Sequence, residues 1–243
     1  MTEKIYVISG KEFKEYDVFD IPKNSVVFEE IDLSDCGLKK MPNLTDLILL
    51  NGLVLSHNKL SDLSGFPKII YGNADVSYNR LTTLSGADQT TITQDFICAH
   101  NRLTSLGNGP NNVQGNYDFS YNDVKNLYGL PNCLLGKCIG SFNKLRDLSG
   151  SLHLVADDLI LDHNCLCSLY GDIKEVQGDI DVSYNYLDSL MGYLKTFRWC
   201  FKCYGNKFDI NSVAPAYVMD GFSVIDGITP DLLKIMIKNG KQR

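Results

Sequence analysis

The chain has 243 residues, of which 44% are hydrophobic and 10% aromatic, and its formal net charge at pH 7 is −6. This length and apolar content suffice for one sizeable folded domain and exclude wholesale disorder. The acidic balance argues against a general nucleic-acid binder, and no run approaches the ~20 apolar residues that a membrane-spanning helix requires.

The first 30 residues show no internal repeat and are expected to cap the N-terminal end of the fold. A strand is predicted over residues 5–9, and a short amphipathic piece over residues 10–16. The N-terminus lacks the basic-then-apolar layout of a secretory signal. The sequence therefore predicts a cytoplasmic protein, whose eight cysteines are reduced thiols.

An asparagine recurs every 21 or 22 residues through the middle of the chain. The repeated asparagines are Asn58, Asn79, Asn101, Asn122, Asn143, Asn164, Asn185 and Asn206. An apolar residue follows two positions after each of them, and a leucine follows five positions after all but the last. The spacing predicts a solenoid of about nine stacked coils over residues 31–211, with Cys36 in place of the asparagine in an imperfect first unit.

A short alternating stretch precedes each asparagine, as in residues 53–56 and 180–183. Its period of two predicts a strand with every second residue buried. The asparagine amides are expected to bond to backbone groups in the turns and to form a ladder along the solenoid. The glycine seven positions later is expected to adopt a positive φ. No part of the unit is long enough for a regular helix, so the convex side is predicted to be extended or 3₁₀-like.

These units resemble the leucine-rich repeat, whose L-x-x-L-x-L-x-x-N-x-L consensus they match closely. Stretches such as LTTLSG and LYGDIKEVQGDIDVSYN are similar to a short-repeat variety that is common in predicted phage and bacterial proteins. The resemblance implies a solenoid with a parallel β-sheet on its concave face. It also implies a phage-encoded protein that binds and modulates a host protein, such as a defence factor, although repeat folds serve many functions.

Residues 212–243 leave the repeat and are expected to form the C-terminal cap. A short α-helix is predicted near residues 230–238, with Thr229 as its N-cap, Pro230 in its first turn and Gly240 after its end. Its apolar residues would cover the last coil. A tail that binds a partner is the alternative interpretation.

Two columns of side chains are expected to follow the asparagines on the concave face. The residues immediately before the asparagines all carry rings in seven units, namely His57, Tyr78, His100, Tyr121, Phe142, His163 and Tyr184. The residues immediately after them are basic in five units, namely Lys59, Arg80, Arg102, Lys144 and Lys207. Since neighbouring strands lie about 4.8 Å apart, the rings can stack into one stripe.

The ring column has two compatible interpretations, mutual stabilisation of the rings and an anchor for a partner. The mixed aromatic, basic and carboxylate character of the face favours a protein partner. The predicted partner-binding residues are Tyr78, Arg80, His100, Arg102, Tyr121, Phe142, Lys144, His163 and Tyr184. A glycan-binding surface or virion protein is the alternative, because aromatic rings also stack on sugars.

Metal and catalytic chemistry receive less support from the sequence. The pairs Cys165/Cys167 and Cys200/Cys203 invite a zinc interpretation, but Cys203 falls on a buried strand position and points away from Cys165. Neither a metal nor a cofactor is therefore predicted.

A possible acid–base cluster combines Asp162, His163 and Asp181 on adjacent coils. It is accompanied by no recognisable nucleophile and by no phosphate-binding motif. The sequence therefore predicts a non-enzymatic protein.

Overall fold

The computed structural model describes residues 6–8, 25–188, 200–207 and 224–226 of the chain. Within these ranges every regular element is a short strand, and all strand pairs are parallel. The predicted amphipathic piece over residues 10–16 and the predicted helix near residues 230–238 lie outside the described residues.

One side of the coils is a ten-stranded parallel sheet, called here the long sheet. Its strands are β3 (Ile31–Asp32), β5 (Leu53–Val54), β7 (Ala74–Asp75), β9 (Phe96–Ile97), β11 (Tyr117–Asp118), β13 (Cys138–Ile139), β15 (Leu159–Ile160), β17 (Ile180–Asp181), β18 (Cys200–Lys202) and β19 (Val224–Asp226). Each strand pairs with the strand one repeat later, as Leu53 does with Ala74 and Ala74 with Phe96. This register is that of a solenoid.

The remaining strands come from a second position in each coil and are called here the second sheets. A six-stranded sheet consists of β1 (Tyr6–Ile8), β2 (Ser25–Val27), β4 (Ile48–Leu49), β6 (Ile69–Ile70), β8 (Thr91–Ile92) and β10 (Asn112–Val113). A three-stranded sheet consists of β12 (Cys133–Leu134), β14 (Leu154–Val155) and β16 (Glu175–Val176). The two strands per coil explain why a unit of 21 residues has no room for a helix.

The leucines that define the repeat form one continuous core between the sheets. Leu60, Leu81 and Leu103 follow their asparagines by two positions and are fully buried, as are Leu63 and Leu84 three positions further on. Loss of one such side chain leaves a cavity and costs about 2–5 kcal/mol. Apolar burial at a fixed spacing therefore supplies the stability that the short strands alone do not.

The repeated glycines allow a positive φ, a close approach to the preceding coil, or both. Gly65, Gly86 and Gly129 have φ values of 104°, 106° and 99°, which confirms the predicted positive φ. Gly150 and Gly171 do not share that conformation; instead they bridge to Leu127 and Leu148 of the preceding coil. A Cβ at either position would overlap the backbone of that leucine. At these coils glycine is needed because the chains approach closely.

Candidate functional site

An asparagine ladder joins consecutive coils beside the long sheet. Asn122 shows the pattern: its Nδ2 donates to the Phe119 carbonyl at 3.0 Å and to the Cys98 carbonyl of the preceding coil at 3.1 Å. Its Oδ1 accepts a hydrogen bond from the Leu103 N–H at 2.9 Å. The same three kinds of bond recur from Asn58 to Asn206. The predicted ladder therefore includes the last asparagine of the series.

The residue before each ladder asparagine has a left-handed backbone. All seven ring-bearing residues do so, with φ between 51° at Tyr78 and 57° at His57. Asp35 and Gly205, at the same position in the first and last described coils, have φ of 54° and 69°. This conformation is unfavourable for bulky side chains. The strand alternation does not predict it, because it belongs to the turn that follows each strand.

The seven rings form an unbroken stack, called here the ring stack. Its members are His57, Tyr78, His100, Tyr121, Phe142, His163 and Tyr184, and neighbouring centroids lie 4.1–4.4 Å apart. The interplanar angles are 8–12° except at the last pair, where the angle is 27°. Tyr204 ends the stack with an edge-on contact to Tyr184. The predicted stripe of stacked rings is thus present, and the faces of its inner rings are covered by their neighbours.

The edges of the stacked rings are exposed to solvent. Tyr78 is 47% exposed, Tyr121 45% and Phe142 40%, whereas His100 is half-buried. Because each inner ring is held on both faces and the ladder bonds lie beside it, the stack is a rigid surface that requires little ordering on contact.

A half-buried column on the long sheet runs beside the ring stack. It consists of the residues four positions before the asparagines, which are a mixture of aliphatic and charged side chains, namely Val54, Asp75, Ile97, Asp118, Ile139, Ile160, Asp181 and Lys202. Three of its carboxylates accept hydrogen bonds from the backbone N–H of the serine two residues later, at 2.8 Å for Ser77, 2.9 Å for Ser120 and 3.0 Å for Ser183. These aspartates therefore help to shape the turns.

The basic column after the asparagines is divided into free and engaged cations. Lys144 pairs with Asp123 of the preceding coil at 2.6 Å, and the Lys207 Nζ lies 4.5 Å from the ring centroid of Tyr186. Lys59, Arg80 and Arg102 are exposed and form no ion pair with any described residue. The cations of the column that have neither an ion pair nor a ring contact among the described residues thus lie on three successive coils, those of Asn58, Asn79 and Asn101.

The proposed acid–base cluster is only partly assembled. The His163 Nδ1 lies 2.7 Å from Asp162 Oδ2, and the other oxygen of Asp162 accepts a hydrogen bond from the Ser141 hydroxyl. The Asp181 carboxylate is directed instead to the Ser183 N–H. The His163 ring is also held between Phe142 and Tyr184. This geometry fixes the imidazole as a member of the stack.

The cysteines provide no metal centre within the described part of the chain. No three His, Cys, Asp or Glu side chains in that part lie close enough together to hold one ion. Cys203 is buried as predicted, Cys165 is half-buried, and Cys167 is exposed; the Cys200 side chain lies outside the described residues. Burial raises the pKa of the Cys98 and Cys138 thiols well above the usual range, so both are held protonated as core residues.

A second ladder precedes the strands of the long sheet and was not predicted. The Asn73 Oδ1 accepts the Asp95 N–H at 3.0 Å, Asp95 Oδ1 accepts the Asn116 N–H at 2.7 Å, and Asn116 Oδ1 accepts the Lys137 N–H at 2.8 Å. Lys137 takes the place of an asparagine or aspartate in this series, and its Nζ lies 2.6 Å from the Asp158 Oδ2 of the next coil. The glycine–asparagine and glycine–aspartate pairs that recur before the strands are the sequence pattern from which this ladder could have been predicted.

Stacked parallel coils, a leucine core and an asparagine ladder together define a leucine-rich solenoid, a class of fold that offers extended binding surfaces. No helix in the described residues is long and apolar enough to cross a membrane.

Comparison with known proteins finds matches among solved structures. No family model matches the chain, and no curated protein matches it. Among solved structures, the chain is similar to YopM from Yersinia enterocolitica WA-314, with 17% sequence identity and a TM-score of 0.27. The match covers 82% of this chain and 64% of that one, so this chain spans less than two thirds of the length of YopM.

Proposed function

We propose that the chain is a non-enzymatic module that binds another protein through the ring stack and the outward face of the long sheet. The observation that carries the proposal is the stack itself, a rigid strip of exposed ring edges that crosses seven coils. Protein interfaces favour such aromatic anchors surrounded by polar and charged side chains. The proposed contacts are Tyr78, Arg80, His100, Arg102, Tyr121, Phe142, Lys144, His163 and Tyr184.

The geometry of the stack favours a protein over a sugar as its ligand. A sugar that stacks on an aromatic residue needs the face of the ring, but Tyr121 lies between His100 and Phe142 and has neither face free. A protein can use the ring edges, the tyrosine hydroxyls and the neighbouring aliphatic column at once. Glycan binding remains the alternative function.

The resemblance to short-repeat phage and bacterial proteins supports a finer proposal. According to this finer proposal, the partner is a host protein such as a defence factor, and this chain modulates that protein in the host cytoplasm. The rigid surface suits that role, because a preorganised interface loses little side-chain entropy when it binds.

The test uses the full chain as bait for host lysates and, once a partner is purified, as an analyte for affinity measurement. Ile139→Arg places a charge on the outward face of the long sheet without removing a ring. Leu135→Arg makes a matched change on the other side of the same coil, where Leu135 is 60% exposed beside β12. We expect Ile139→Arg to weaken binding at least ~30-fold, about 2 kcal/mol, and Leu135→Arg to leave it unchanged.

The double variant Tyr121→Ala/Phe142→Ala tests the rings directly. It is expected to weaken the same complex and also to lower stability, because it opens the centre of the stack. Folding is therefore checked by circular dichroism at the assay temperature. Unchanged affinity in both Ile139→Arg and the folded double variant would show that the binding surface lies elsewhere.

A further inference from the structure

We infer that the partner contacts the N-terminal half of this surface with an extended acidic segment, which lies along Lys59, Arg80 and Arg102. The inference rests on the proposed protein-binding function and specifies the chemistry of the partner.

The three cations are held at equivalent positions on successive coils. The backbone N–H of Lys59 bonds to the Leu38 carbonyl at 2.8 Å, and those of Arg80 and Arg102 bond in the same way to the preceding coils at 3.0 and 2.9 Å. With a strand spacing of about 4.8 Å, the three positions span about 10 Å along the solenoid axis. The backbone thus places three side chains of one sign in a row, at a cost in mutual repulsion that a bound anion would relieve.

The rest of the basic column is already occupied. Lys144 is paired with Asp123, Lys207 lies over Tyr186, and the two coils between them have Cys165 and Tyr186 at this position. On the three N-terminal coils no described carboxylate lies within ion-pair distance of the cations. In a chain of net charge −6, this row is therefore a local reversal of sign that can select and orient an acidic partner.

Neighbouring aspartates do not satisfy the row. The Asp75 carboxylate accepts the Ser77 N–H, and Asp118 accepts both the N–H and the hydroxyl of Ser120, at 2.9 and 2.6 Å. Arginine can bind a carboxylate through two parallel N–H···O bonds, and Tyr78, two residues before Arg80, is exposed and carries a hydroxyl.

The size of the row fits a peptide better than a nucleic acid. An extended chain advances about 3.3 Å per residue, so three or four residues cover about 10 Å. A longer polyanion would run on past Asp118 and Asp123, which would repel it. An acidic segment a few residues long meets all three cations and avoids that repulsion.

The direct test measures binding of two labelled probes to the full chain by fluorescence anisotropy at 50 and 200 mM NaCl. One is an eight-residue peptide of alternating glutamate and serine, and the other is a single-stranded oligonucleotide of the same charge. The variant is Arg80→Glu/Arg102→Glu. The matched control Lys125→Glu/Arg146→Glu changes the net charge equally at exposed positions on later coils.

We expect the peptide to bind the native chain more tightly at 50 than at 200 mM NaCl. Affinity should fall at least tenfold in the Arg80→Glu/Arg102→Glu variant and change less than twofold in the control. Equal losses in both variants, no peptide binding at 50 mM NaCl, or tighter binding of the oligonucleotide would each overturn the inference.

Binding measurements with the captured partner distinguish a failure of this inference from a failure of the proposed function. If Ile139→Arg abolishes its binding while Arg80→Glu/Arg102→Glu changes neither its affinity nor its salt dependence, the acidic-segment inference is wrong and the protein-binding surface remains. If neither variant affects binding, both are wrong.

Discussion

Replacement of Asn122 by alanine tests how much each ladder amide stabilises the solenoid. The carbonyls that receive its Nδ2 keep other donors: Cys98 O is also bonded by Asn101, and Phe119 O by Asn143. The Leu103 N–H, by contrast, loses the only acceptor that it has among the described residues. An orphaned buried donor costs ~1–3 kcal/mol, and the lost amide bonds add to it, so we expect the free energy of unfolding to fall by about 2–3 kcal/mol.

Urea denaturation monitored by circular dichroism measures this change, and Asn126→Ala is the matched control. Asn126 belongs to the same coil but is half-buried, and its Oδ1 accepts a single bond of 3.3 Å from the Tyr128 N–H. Its loss should cost less than about 1 kcal/mol. Equal losses of stability in the two alanine variants would refute the ladder argument. An Asn122→Asp variant that is as stable as the native chain would also refute it, because the new carboxylate would face two carbonyl oxygens.

Three further outcomes follow from buried and paired groups, each measurable by urea denaturation. The Tyr117 hydroxyl is buried without a hydrogen-bond partner among the described residues, so Tyr117→Phe should raise the free energy of unfolding by about 1 kcal/mol; a loss would indicate an unseen partner. Gly140→Ala should cost about 1–3 kcal/mol because its Cβ would overlap the Phe119 ring. Gly107→Ala should not, because a Cβ there would make only van der Waals contact with Ser105. Burial opposes ionisation of Asp158, but hydrogen bonds from Lys137 and the Asp179 N–H lower the pKa of its carboxyl group overall. The stability that this carboxylate adds is therefore present above pH ~4 and is lost as the pH falls through its pKa in the folded state. Asp158→Asn should flatten that loss of stability at low pH.

Much of the fold was predictable because the repeat specifies it several times over. The interval of the asparagines predicts the register, and the apolar positions between them predict the core, as the burial of Leu60, Leu81 and Leu103 confirms. Each coil adds the same evidence, so an irregular unit such as that of Cys36 does not alter the prediction. The strand predicted over residues 5–9 is confirmed by β1 (Tyr6–Ile8), which pairs with β2. The two ends lack the redundancy of the repeats, and the other predictions for residues 1–30 and 212–243 stay predictions.

The details of the surface were harder to predict because they depend on neighbouring coils. Positive φ was expected at glycines, yet Tyr121 and Phe142 adopt it as well, held by contacts that come from other coils. In the same way, the sequence does not distinguish the basic residues of the column from one another, but Asp123 pairs with Lys144 and leaves Arg80 and Arg102 without an ion pair among the described residues. A local pattern shows which residues share a column, whereas their partners emerge only when the coils are stacked.

The ring stack couples the stability of the solenoid to its surface. A left-handed backbone costs a bulky residue roughly 1–2 kcal/mol, and the chain has this cost at seven consecutive ring positions. Offset contacts between aromatic rings, worth about 0.5–1.5 kcal/mol each, and the ladder bonds beside them offset it. Because the left-handed backbone conformation at these turns brings the rings face to face, the ring edges point to solvent. The same conformation that strains each turn therefore creates the strip of ring edges that we propose a partner contacts.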